Sequence, residues 1–120
     1  MDRVYIISRY RANTEKEREF NREVARYYCR KMIEEGKVPV APHLYYTQFL
    51  DDDYPAEREA GLCLGLEDLR SCQEFFIVVI DGNISEGMKE EIAEVGRLGL
   101  TGRIVCMTGQ EIREVVKVVR

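Results

Sequence analysis

The stretch DGNISEGMKEEIAEVGRLG, Asp81 to Gly99, holds the residues of this 120-residue chain that are best spaced for chemistry. It follows the apolar run FFIVVI and opens with Gly, Asn and Ser before its pattern turns helical. On a helix, Glu91 shares a flank with Met88, Val95 and Leu98, while Glu90, Glu94 and Arg97 take the solvated side. Its carboxylate then lies about two turns into the helix, near the strand ends and under the turn at Ser8. Ser85 and Gly87 begin that helix. The free N–H groups and positive dipole of a helix start attract anions such as phosphate, and Gly87 lets one approach the backbone. A carboxylate facing inward beside such a turn is material for nucleophilic or charge-stabilising catalysis. The plainer alternative, an N-cap serine followed by a partly exposed glutamate, stays open on spacing alone.

The elements that must position these residues follow from the apolar pattern. VYIIS (Val4 to Ser8) reads as a buried strand. After the turn RYRAN, Asn13 or Thr14 caps a long helix, with Glu17 placed to complete a capping box with Thr14. Phe20, Val24, Tyr28 and Met32 form its core stripe, with Ala25, Cys29 and Ile33 beside them and Gly36 ending it. VPVAP (Val38 to Pro42) is a short strand, and HLYYTQFLDDDYP has no sustained period and reads as a lid-like loop. Ala56 to Cys72 is helical, with Leu62, Leu66 and Leu69 as its apolar face and Gly61 and Gly65 free for close packing. FFIVVI (Phe75 to Ile80) is a strand buried on both faces. A helix from Ser85 to Leu98, a strand RIVCM (Arg103 to Met107) and a helix TGQEIREVVKVV, with a Thr108/Glu111 capping box, close the chain. This alternation predicts an α/β fold: a doubly wound, flavodoxin-like or Rossmann-like three-layer sandwich. Its sheet is four- to five-stranded and mainly parallel, with strand order near 2-1-3-4. Ligands of such sheets bind at the carboxyl ends of the strands. Here that edge comprises Ser8 to Asn13, Pro42 to Tyr54, and Asp81 to Gly87.

Composition narrows the partners. The length fits a single domain, residues 1–120. Net charge is −4 with no basic patch, which disfavours extended nucleic acid but leaves a single nucleotide open. No run approaches the ~18 apolar residues of a membrane span, and the N-terminus lacks a signal-peptide layout, so a cytoplasmic protein is expected. The four cysteines, Cys29, Cys63, Cys72 and Cys106, show no C-x-x-C spacing and read as small core residues. With His43 the only histidine, neither a metal nor another cofactor is expected.

The motifs together resemble the nucleoside 2-deoxyribosyltransferase-like family. VYIISRYRAN is similar to its strand-and-turn opening YhAGPh, and SEGMKEEI to its S-x-G-h-x-x-E-I signature. The long first helix, the G-x-x-P lead into strand two and the C-x-E-hhhVhh strand three also fit. The likeness spans roughly residues 3–107 and is strongest to a small bacterial and phage branch with APHLYhxxFLDD and SEGM blocks. It implies N-glycosidic bond cleavage, or 2-deoxyribosyl transfer, on a deoxynucleoside or its 5′-monophosphate. Glu91 matches the glutamate nucleophile, Tyr5 the tyrosine that orients it, and Asp81 the Asp-Gly position near the sugar. Ser85 and Gly87 match the turn that holds the sugar's 5′ end or its phosphate, with Met88 beside them. Ser8, Arg9 and Arg11, with Asn13, stand where phosphate-preferring members place their donors. The resemblance further implies a homo-oligomer, with the Gly61–Gly65 helix as the expected contact. The chemistry is coherent, because cleaving this bond builds positive charge on the sugar that a carboxylate can stabilise and then trap.

Three departures from the pattern bear on the mechanism. The aspartate that usually precedes strand three and contacts the base aligns near Leu66, with Glu67 and Asp68 as candidate replacements. Ile7 and Ser8 replace Ala and Gly, and Arg9 replaces Pro, which narrows the pocket or makes it more cationic. His43, Tyr45, Tyr46 and Gln48 are candidates for contacting the base, against simple lid packing. Asp51 to Asp53 read as a solvated run, and Arg58 as a surface partner of Glu57 or Glu59. A catalytically inactive nucleotide-binding or sensing module of the same fold is the alternative function, and an unrelated interaction domain is a third.

Overall fold

The computed structural model describes residues 1–118. The chain runs β1 (Arg3–Ile7), α1 (Glu15–Glu34), β2 (Val38–Val40), α2 (Pro42–Tyr45), a 3₁₀ turn (Tyr46–Gln48), α3 (Pro55–Arg70), β3 (Glu74–Ile80), α4 (Glu86–Leu98), β4 (Thr101–Met107) and α5 (Gly109–Val118). The described strands form one four-stranded parallel sheet in the order β2-β1-β3-β4, as the alternation predicted. Val119, the last residue of the expected closing helix, lies outside the described residues.

Central strands β1 and β3 alternate between the two faces with period two. Val4, Ile6, Phe76, Val78 and Ile80 pack against Val24, Tyr28 and Met32 of α1 and Ile112 and Val116 of α5. Tyr5, Ile7, Ile77 and Val79 pack on the opposite face against Leu69 of α3 and Met88 and Val95 of α4. Burying each such side chain contributes about 1.5–3 kcal/mol relative to exposure. The helix starts follow their capping residues. Thr14 Oγ1 accepts from Glu17 N, and at α5 Thr108 and Glu111 bond each other's backbone N–H reciprocally.

Several expectations need correction. Strand β2 ends at Val40 and residues 43–48 are helical rather than loop, because Pro42, expected at the strand's exit, instead sits in the first turn of α2, where its missing N–H costs nothing. Ile33 is 63% exposed, lying beyond the edge of the stripe that meets the sheet. Cys63 and Cys106 are exposed and only Cys72 is buried, so the cysteines are not all core residues. Of the two α3 glycines, Gly65 is buried and Gly61 is half-buried. A Cβ on Gly65 would meet Tyr5 Oη at 3.3 Å, so the close approach there is made within the chain, whereas one on Gly61 would meet Leu50 Cδ1 at an ordinary 3.7 Å.

Strand β4 starts at Thr101, two residues before the expected point, and Gly102 lies opposite Phe75 of β3. A Cβ at Gly102 would stand 2.1 Å from the Phe75 carbonyl oxygen, a backbone atom that cannot step aside. Gly102→Ala is therefore expected to destabilise the fold by about 2–4 kcal/mol, as overpacking against fixed atoms does. Urea unfolding would measure this, and an unchanged midpoint would contradict the close approach.

Candidate active site

The parallel sheet sends α3 and α4 down the same face, so both helices begin at the carboxyl edge of the strands. A cleft of about 280 Å³ lies between them and the end of β1. Tyr5 projects from β1 towards it and is fully buried. Its hydroxyl donates to the carboxylate of Glu91, which reaches in from the second turn of α4. Gly65 lets α3 approach this pair from the other side, since a methyl group there would crowd the Tyr5 hydroxyl.

The local electrostatics are set by burial. Glu91 has its pKa raised to about 7, chiefly by desolvation, against the lowering effect of the Tyr5 hydrogen bond, with a further rise from the charge of Glu90. Tyr5 is pushed well above the ordinary phenol range by burial and then by the Glu91 charge, so it remains a donor. Desolvation also lowers His43 to about 4, which keeps its ring neutral. His43 Nε2 lies 3.5 Å from Ser8 Oγ, and its ring centroid is 5.3 Å from that of Tyr10. Of the residues flanking Glu91, Glu94 is not solvated as its spacing suggested. Its side chain is 12% exposed and paired with Arg70 and Arg97.

Ser85 caps α4 by accepting from Met88 N at 3.3 Å. Ser85, Gly87 and Met88 line the cleft together with Ser8, Arg11 and His43. Several candidates are not brought there, Gln48 and Glu67 among them. Asp81 adopts a positive φ of 53°, and its carboxylate accepts from Gly109 N at 2.9 Å, so it caps α5. Arg9 and Asn13 line a separate groove with Asp81 and Arg113. Tyr45 is 59% exposed and packs edge-on against Phe49. Asp68 does not line the cleft and accepts from the Tyr46 hydroxyl at 2.8 Å.

Arg58 and Asp52 do line the cleft, although the sequence placed both on the surface. Asp51 accepts from Asp53 N, and Asp53 is exposed, leaving Asp52 as the member of the acidic run turned inward. Glu57 Oε1 accepts from Asp51 N at 2.8 Å, so it holds the lid turn rather than Arg58. Arg58, Gly61, Leu62, Gly65 and Leu66 share the cleft face of α3. Their spacing of i, i+3, i+4, i+7, i+8 was the available signal.

The fold is shared with solved enzymes. The 2-deoxyribosyltransferase of the psychrotolerant bacterium Bacillus psychrosaccharolyticus aligns over 89% of this chain and 74% of its own, with TM-score 0.64 and 18% identity. The CMP N-glycosidase BcmB of Clostridium botulinum aligns over 98% of this chain and 96% of its own, with TM-score 0.53 and 13% identity. At these identities the likeness is one of architecture: the chain has the nucleoside 2-deoxyribosyltransferase fold. No curated protein matches it in sequence. A family model described as a domain of unknown function, DUF7768, matches residues 2–105, and the chain belongs to that family.

Proposed function

We propose that this protein cleaves or transfers the N-glycosidic bond of a 2′-deoxynucleoside or its 5′-monophosphate, with Glu91 as nucleophile. The observation that carries this reading is the buried Tyr5 hydroxyl donating to the Glu91 carboxylate in a cleft that starts at a capped helix N-terminus. Both fold neighbours bear names of this chemistry, a deoxyribosyltransferase and a nucleotide N-glycosidase, which supports it. In the proposed reaction a phosphate or 5′-hydroxyl sits at Ser85–Gly87, with Arg11 at the rim. Glu91 attacks C1′ as the base departs, and water or a second base resolves the ester. Tyr5 holds one carboxylate oxygen and leaves the other for attack.

The partial protonation of Glu91 near neutrality gives this reading a pH signature. Only the carboxylate attacks, so kcat/KM should rise with pH along an acid limb centred near 7. A flat profile from pH 5 to 8 would contradict the assignment.

A second reading, nucleotide binding without turnover, is favoured by one observation: Asp68 is engaged by Tyr46 and does not line the cleft. Incubation with a panel of deoxynucleosides and their monophosphates, followed by chromatography of free base, separates the two. Turnover that falls by about 10³-fold or more in Glu91→Ala supports the enzyme, as loss of a nucleophile does. Thermal stabilisation by nucleotides that persists in Glu91→Gln, with no base released by the parent protein, supports the binding module.

Burying a carboxylate also affects stability. Between pH 4.5 and about 7 the folded chain holds a proton on Glu91 that the unfolded chain has released, so stability falls as pH rises through this window. His43 works in the opposite sense. From about pH 4 to 6.5 only the unfolded chain is protonated there, so stability rises with pH. Glu91→Gln is expected to gain on the order of 1–3 kcal/mol at pH 8, with little gain at pH 4.5, and to expose the rising His43 slope. Denaturant titrations at several pH values test this, and a pH-independent difference would contradict it.

A further inference from the structure

The reaction above needs a group that stabilises the departing base, and the carboxylate expected for it, Asp68, is occupied elsewhere. Of the five α3 residues on the cleft face, only Arg58 carries a polar side chain; the others are Gly61, Leu62, Gly65 and Leu66. Gly65 stands against the Tyr5 hydroxyl, and Arg58 lies seven residues earlier, about 10 Å along the helix axis. That separation suits a ring attached to a sugar held at Glu91. Gly61, between Arg58 and Gly65, adds no side chain to the cleft face.

Arg58 is also chemically free. It is half-buried, yet none of the ion pairs among the described residues includes it. The arginines of the scaffold contrast with it: Arg18, Arg22 and Arg26 on α1, with Arg70, Arg97 and Arg103, all pair with glutamates. The α4 wall opposite supplies the anion-attracting turn and the nucleophile, so a substrate with its 5′ end at Ser85 directs its base towards the α3 wall.

Resting on the glycosyl-transfer reading, we propose that Arg58 stabilises the leaving base by donating to a carbonyl oxygen on it, so that the substrate is an oxo base such as a pyrimidine or guanine. As the C1′–N bond breaks, its electron pair passes to the base and spreads onto that oxygen, where the guanidinium meets the developing charge. Glu91 forms the new O–C1′ bond, the base anion takes a proton from water, and water then hydrolyses the glycosyl ester. No carboxylic acid is required in the step.

A series of 5-substituted 2′-deoxyuridine 5′-monophosphates, carrying methyl, hydrogen or fluorine, varies the stability of the base anion while keeping the carbonyl groups in place. Single-turnover base release from the intact protein and from Arg58→Ala and Arg58→Lys reads the effect. Arg58→Ala should lose ~10²–10³-fold with the methyl substrate, the usual effect of removing a donor to developing charge, and the loss should shrink to about tenfold with fluorine. Arg58→Lys should fall between, since it keeps the charge but not the planar fork. A loss equal for all three bases overturns the assignment, as does one confined to KM and to 5′-phosphorylated substrates, which would make Arg58 a phosphate clamp. Failure of the unaltered protein to release any base overturns the underlying reaction and this role with it. Base release by the unaltered protein that Arg58→Ala leaves unchanged overturns the role alone.

Discussion

The hydrogen bond from Tyr5 to Glu91 is the constraint around which the cleft is organised. Burying a carboxylate is costly unless a donor meets it, and here one phenol meets it while desolvation still raises its pKa to about 7. Such a group is poorly suited to stability and well suited to attack on an electrophile. Holding it requires a strand that buries its tyrosine completely, a helix that carries the glutamate into its second turn, and a glycine where the neighbouring helix would otherwise crowd the hydroxyl. β1, α4 and Gly65 meet these needs in turn.

The remaining charged side chains show a division of labour. Arginines along α1 and at the ends of α3 and α4 form ladders with glutamates three or more residues away. The exposed ones among these pairs contribute little energy individually. Asp81 is committed to the backbone of α5, which fixes the turn after β3 at the cost of a left-handed backbone. Arg11, Arg58 and Asp52, which line the cleft, are in none of the ion pairs among the described residues. Neutral His43, against Ser8 and Tyr10, adds a polar group without adding charge.

What could be read from the chain directly was whatever depends on local periodicity. The helix caps at Thr14, Ser85 and Thr108 and the inward flank of Glu91 follow from patterns spanning fewer than about twenty residues, and the strand order follows from the alternation of strands and helices along the chain. Tyr5 beside Glu91 was expected through the family resemblance, since the two stand far apart in the sequence. Only the folded chain could decide where long polar side chains end. Arg58 seemed to have glutamate neighbours on either side, but Glu57 is drawn away by the backbone of Asp51, a contact set by the lid's path. Asp81, Arg9 and Tyr45 sit on the expected edge yet turn from the cleft, because a positive φ, a separate groove and an aromatic cluster hold them. Sequence spacing assigns a residue to a face or an edge, whereas the direction of its charged tip is settled by whichever partner the tertiary packing brings within hydrogen-bonding distance.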